Sequence, residues 1–208
     1  MIKKRFYALV FLSLIIMAAP LNLLAYNGYS AHTHQGFYLN FQLGAGYGET
    51  TMEESGDADF TLSGPTGVAR IKAGGAITEN FIIYGVYGVF NIEDPKIEYG
   101  DYSGTADGLS LTYYDLGIGI CYYFMPINIY ISADIASSKG ELTGYGFKGE
   151  TESGVSFTFS LGKEWWVSDN WGLGVALILS GASMDDGPGS DAEITHSFVG
   201  VAFTATYN

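Results

Sequence analysis

Residues 36–48, GFYLNFQLGAGYG, alternate so strictly that they allow little besides an extended strand with one greasy side and one polar side. Phe37, Leu39, Phe41, Leu43, Ala45 and Tyr47 share one face. Tyr38, Asn40, Gln42, Gly44, Gly46 and Gly48 share the other, because successive side chains on a strand point to opposite sides. At about 3.3 Å per residue, such a strand exceeds the ~5–6 residues usual in globular sheets and suits a tilted crossing of bilayer hydrocarbon. It cannot cross alone, since an unpaired strand edge is not tolerated in lipid.

Seven companions follow. Residues 65–78 set Gly67, Ala69, Ile71, Ala73, Gly75 and Ile77 against Arg70 and Lys72. Residues 81–91 are apolar on both parities, so their faces stay unassigned. In 108–124, an inward Asp115 takes Gly117, Gly119, Cys121 and Tyr123 with it and leaves Leu116, Ile118, Ile120 and Tyr122 for lipid. In 128–138, Ile129, Ile131, Ala133 and Ile135 oppose Tyr130, Ser132 and Asp134. Residues 153–167, 171–182 and 195–208 alternate in the same way.

Short connections at 79–80, 125–128 and 168–170 take turns with long ones at 49–63, 92–107, 139–152 and 183–194. An even number of strands joined alternately by short and long links is the rule for bacterial outer-membrane barrels, and eight is the smallest size. Each short turn ends in Asn before a large apolar residue, Asn80-Phe81, Asn128-Ile129 and Asn170-Trp171, and Asn suits the φ > 0 position of a tight turn. Aromatics collect beside these turns, and Phe37, Phe81, Phe124, Tyr130, Trp165, Trp166, Trp171 and Tyr207 are expected to form a girdle at one membrane interface. The predicted fold is all-β, an eight-stranded antiparallel up-and-down transmembrane β-barrel. Its first and last strands should pair antiparallel to close it.

With its GFYLNFQLGAGYG first strand, SDNWGLG turn-strand junction and final VGVAFTATY, the chain resembles the small outer-membrane β-barrel proteins, the OmpX, OmpA-barrel and opacity-type group. The resemblance spans everything after the N-terminal segment. It implies a porin-like monomer of the bacterial outer membrane, in contact with its lipid and lipopolysaccharide.

The N-terminal segment fits that address. Lys3, Lys4 and Arg5 precede an apolar run over 6–19 and a small residue at Ala25, so 1–25 reads as a signal peptide, 26–35 as a short polar lead and 36–208 as the barrel domain. Removing 1–25 leaves six basic against 22 acidic side chains, a net charge of about −16, which argues against a nucleic-acid partner. The single cysteine, Cys121, cannot form an internal disulfide and reads as packing. No helix-length apolar run follows the signal, and the greasy surface is hidden in alternating strands.

Seventeen of the 22 acidic residues fall in the four long connections. These are expected to form mobile extracellular loops that repel one another and attract divalent cations, although no defined calcium-loop spacing is present. Inside the wall, Arg70, Lys72, Asp115 and Asp134 should lie at similar depths, and Glu164 nearer the turns. An eight-stranded interior is about wide enough to be filled by side chains, so these charges need one another and are expected to form a lumen-plugging network. His32 and His34 lack the further ligands a metal needs and read as part of a solvated linker. His196 and Ser197 point to opposite faces, so they make no nucleophile-base pair, though Asp185 or Asp186 could orient His196. No catalytic residue, metal or cofactor is assigned. The expected function is structural or surface-interacting, adhesin-like or membrane-stabilising. A narrow channel for small or apolar solutes and a lipid A- or phospholipid-modifying enzyme are the competing readings.

Overall fold

The computed structural model describes residues 31–53, 60–186 and 192–208. The signal segment therefore lies outside the described residues, as do parts of the first and fourth long connections. Eleven strands follow one another: β1 (Phe37–Glu53), β2 (Phe60–Thr78), β3 (Phe81–Glu93), β4 (Lys96–Tyr99), β5 (Tyr102–Thr105), β6 (Ser110–Phe124), β7 (Ile129–Gly144), β8 (Phe147–Glu150), β9 (Gly154–Trp166), β10 (Trp171–Asp185) and β11 (Glu193–Tyr207). Eight of them, β1, β2, β3, β6, β7, β9, β10 and β11, are the staves of a closed antiparallel barrel. β1 bonds to β2 on one side and to β11 on the other, in a register from Leu39 opposite Tyr207 to Glu53 opposite Glu193. The expected closure is present, and no stave keeps a free edge along its length.

Alternation sorts the side chains as the sequence implies. Leu43, Ile118 and Val201 are 70%, 65% and 64% exposed on the outer wall, while Asn40, Gln42, Asp115 and Cys121 are buried inside. β3, unreadable by parity, turns Ile82, Tyr84, Val86, Phe90 and Ile92 inward and Ile83 and Tyr87 outward. It was ambiguous because the interior it faces is itself apolar. Phe90, Ile92, Leu111, Ile178 and Phe198 belong to one buried cluster toward the long-loop end. Tyr38, Ile82, Tyr84, Tyr123 and Tyr130 belong to a second one toward the turns. The inward face is thus apolar and aromatic at both ends as well as charged between them.

The long connections differ from expectation too. β1 and β2 stay paired up to Met52–Phe60, and β10 and β11 up to Asp185–Glu193. β4 and β5 form a hairpin that adds to the outer part of β2, and β8 adds to β7. Much of what read as loop is therefore paired strand. Above the hydrocarbon the outward face no longer has to be apolar, so hydrophobic alternation stops marking the strands while backbone pairing continues. Of the three turn asparagines, Asn80 and Asn128 take positive φ (68° and 54°) as expected, and Asn170 does not.

Close approach explains the small inward residues. A Cβ at Gly117 would stand 2.1 Å from the Ile135 carbonyl oxygen, and at Gly162 it would meet the Tyr130 ring at 2.3 Å. At Gly67 it would meet nothing within 4 Å. Gly117→Ala should therefore destabilise the barrel by about 1–3 kcal/mol, as overpacking does, while Gly67→Ala changes it by less than about 0.5 kcal/mol. Urea unfolding in lipid, read by the heat-modifiable gel shift of the folded form, measures both.

Candidate functional site in the barrel interior

β2 carries Arg70 and Lys72 on its inner parity, and β7 carries Ser132 and Asp134 on its own. These strands are not neighbours, since β3 and β6 stand between them. The groups meet across the lumen. Arg70 Nη2 lies 2.6 Å from Asp134 Oδ2, and Lys72 Nζ lies 3.9 Å from Asp134 Oδ1. Lys72 also donates to Ser132 Oγ at 3.0 Å, with its Nζ 4.9 Å from the centre of the Tyr84 ring. The Tyr84 hydroxyl donates to Asp134 Oδ1. Asp115 is buried beside Ser138 and Ser156, and a Cβ at Gly88 would touch both Arg70 Nε (3.2 Å) and Asp115 Cβ (3.6 Å). Two bases and two acids thus occupy one level of the interior, formally balanced, with Asp134 as the shared acceptor. A charge buried at this depth is tolerable only with such partners.

Glu164 stands apart from that set. Its Oε1 accepts from Thr206 at 2.6 Å and Thr204 at 3.2 Å, and its Oε2 from Tyr123 at 3.2 Å. Asn40 donates to Thr206 Oγ1 at 2.7 Å, and Gln42 to the Tyr130 hydroxyl at 3.3 Å. Gly172 and Gly174 leave room for the carboxylate, since a Cβ there would lie 3.2 Å and 2.7 Å from Glu164 atoms. Three hydroxyls, rather than Arg70 or Lys72, serve as its hydrogen-bond donors. Thr204 and Thr206 were findable, because they alternate with Phe203, Ala205 and Tyr207 on β11. Tyr84 was not, because β3 shows no polar face.

On the outer wall beside the turns, Phe124, Trp165 and Trp171 are exposed, and Phe37, Phe81 and Tyr207 are half-buried. Phe37 and Trp171 both lean on Tyr207, at 6.4 and 5.5 Å between ring centres. Tyr130 and Trp166 do not belong to this girdle. Tyr130 is buried in the lumen on the parity of Ser132 and Asp134, and Trp166 follows Glu164 inward because Trp165 already points out. His34 is not solvated; it is fully buried at the turn end. His196 is also buried, 3.1 Å from Thr50 Oγ1 and stacked on Tyr113 at 4.0 Å, with neither Asp185 nor Asp186 as a partner.

Among the described residues no three His, Cys, Asp or Glu side chains are arranged to hold a metal ion, and no helix is long and apolar enough to cross a membrane. Part of the outer charge is neutralised internally, through Lys139–Glu150 (2.6 Å), Lys148–Glu141 (2.7 Å) and Lys148–Glu150 (2.9 Å).

No family model and no curated protein sequence matches the chain. Among solved structures it is similar to neisserial surface protein A (NspA), at 14% identity over 82% of this chain and 96% of that one, with a TM-score of 0.53. Lower likenesses are to outer membrane protein AlkL in lipid bilayers (15% identity, 88% and 94% covered, TM-score 0.48) and to the outer membrane protease OmpT from Escherichia coli (8%, 87% and 99%, TM-score 0.44). A closed eight-stranded wall whose exterior only hydrocarbon can accept defines the class, a small transmembrane β-barrel. By that fold the chain stands with the barrels of the bacterial outer membrane.

Two outcomes follow from this geometry. Asp134→Ala leaves Arg70 and Lys72 without their acid and should cost about 3–5 kcal/mol, whereas Arg70→Met combined with Asp134→Leu should recover only part of the loss, because Lys72 still lacks its acid. Denaturant unfolding of the three proteins in lipid checks this. Where β8 pairs with the outer part of β7, hydrogen bonds from Lys139 and then Lys148 hold the Glu150 carboxyl down to about 2, from an ordinary 4.5. Because the folded value is depressed, the contribution of these pairs is complete above pH 4.5 and disappears as pH falls toward about 2. A carboxyl-carbon NMR titration of Glu150 should show this and should move toward the ordinary value in high salt.

Proposed function

We propose that the protein is a non-conducting, non-enzymatic outer-membrane barrel with a structural or surface-interaction role, its lumen closed by its own side chains. The observation that carries this reading is the Arg70–Asp134 bridge at 2.6 Å, drawn between non-adjacent staves and set between two buried apolar clusters. A path for water or solutes would have to break that bridge and also displace Phe90, Phe198 and Ile178 above it. Against catalysis stands His196, which is held by Thr50 and a stacked Tyr113 rather than by an acid.

The surface role is supported by the outward-standing strands, which carry an acidic excess beyond the lysines they pair with. Such a rim attracts cations diffusely and through them the anionic lipopolysaccharide around it. A single closed wall without free stave edges fits a monomer. NspA is a surface protein by its name, and a role at the cell surface is the reading we extend to this chain.

Refolded protein in planar bilayers should give no large, stable conductance, and Asp134→Ala should raise the frequency of brief openings. A large steady conductance from the unaltered protein would overturn the closed lumen and favour the channel.

A further inference from the structure

Residues 31–35 precede the first stave, yet they are tied to every short turn. The His32 amide donates to the Asp169 carbonyl at 3.1 Å, and the Asn80 amide donates to the His34 carbonyl at 3.3 Å. His34 Nε2 lies 2.7 Å from Asn128 Oδ1. One short segment therefore joins the β2–β3, β6–β7 and β9–β10 connections. Gly36, at φ 80°, then swings the chain into β1, where its carbonyl receives the Ala76 amide at 2.8 Å. The His34 ring is fully buried, stacked on Tyr123 at 3.5 Å and 15°, with Trp166 at 5.0 Å. His32 also stacks on Trp166, at 5.3 Å between ring centres.

We propose that residues 31–35 are a latch across the turn-side mouth of the barrel, locked by a neutral His34 and released when that imidazole is protonated. The inference rests on the closed-lumen reading and names what covers this end of it.

The groups packed around His34 explain the direction. β6 presents Tyr123, whose hydroxyl is committed to Glu164, and β9 presents Trp166. The turns present the amides of Asn80 and Asn128, and β11 is followed by Asn208, whose side chain also reaches His34. Of the acids near this end, Glu164 lies behind Tyr123, and Glu79 and Asp169 are exposed in the turns. His32 is the other titratable group of the segment. No carboxylate is hydrogen-bonded to His34 among the described residues, so a proton placed there meets burial without an opposing charge. Burial accordingly pulls His34 below its ordinary 6.5, with Asn128 and Asn208 pushing the other way. Docking is thus complete above pH 6.5 and weakens by up to about tenfold per pH unit below it, until the docked imidazole itself is charged.

The test is hydrogen exchange on the full chain folded in nanodiscs, following the His32 and Asn80 amides from about pH 7.5 to about pH 5 after correction for intrinsic rates. Their protection should fall by up to about tenfold per unit below 6.5. In His34→Phe, which keeps the stacking and cannot titrate, it should stay flat. Flat protection in the unaltered protein, or an equal fall in His34→Phe, would overturn the latch. Should His34→Phe not reach the heat-modifiable folded form, the imidazole titration of the unaltered protein decides. A value below 6.5, moving together with Asn80 exchange, supports the latch, and a value at or above 6.5 removes it. Conductance plays no part in this readout, so an open lumen with an intact latch remains distinguishable from a failed latch.

Discussion

The pairing of β1 with β11 is the contact on which everything else depends. Fifteen residue pairs, from Leu39–Tyr207 to Glu53–Glu193, join the two ends of the described barrel. In hydrocarbon there is no water to satisfy a strand edge, so each unpaired amide or carbonyl would cost several kcal/mol. Closure removes that penalty for every stave at once. It also creates an inside, a region that exists only when all eight strands are in register, and the placement of each buried charge follows from that register.

The interior is arranged by the smallness of the barrel. Eight staves enclose little more than the side chains they contribute, so inward residues must fit one another across the lumen. Asp134 takes donors from two strands that are not its neighbours, and Glu164 is held by hydroxyls from β6 and β11. Glycines stand where a ring or a neighbouring strand leaves no room, as Gly162 does beneath Tyr130. The apolar cluster toward the long-loop end is the core that a globular protein would place between two sheets. Here the wall is wrapped around it.

Parity along single strands was the part most directly legible in the sequence. It placed Asn40, Gln42, Arg70, Lys72, Asp115, Asp134 and Glu164 inside and Leu43, Leu116 and Ile118 outside, all as observed. It would also have removed Tyr130 and Trp166 from the girdle had it been preferred to proximity to the turns, because residues beside the same turn can face opposite sides. Where polarity does not alternate, parity says nothing. β3 hid Tyr84 for that reason, and the outer extensions of the strands passed for loops. His34 was illegible for a different reason, since a histidine in a polar lead carries no local sign that three distant turns converge on its segment.

The sequence by itself determined the number of staves, their up-and-down order and the faces of those whose polarity alternates, because a period of two and the spacing of turn residues are local properties of the chain. Only the tertiary structure decided which inward groups meet. That depends on strand stagger and on which stave lies opposite which, and both are set by closure rather than by any one segment. Arg70 and Asp134 are 64 residues apart and bonded, while Glu164, on the same kind of face, has hydroxyls in place of a base. The first strand illustrates both halves of this. Its alternation announced a two-faced strand, and the register of the closing β1–β11 pair determined that Asn40 would meet Thr206, while the residues before Phe37 lie across the turn-side end.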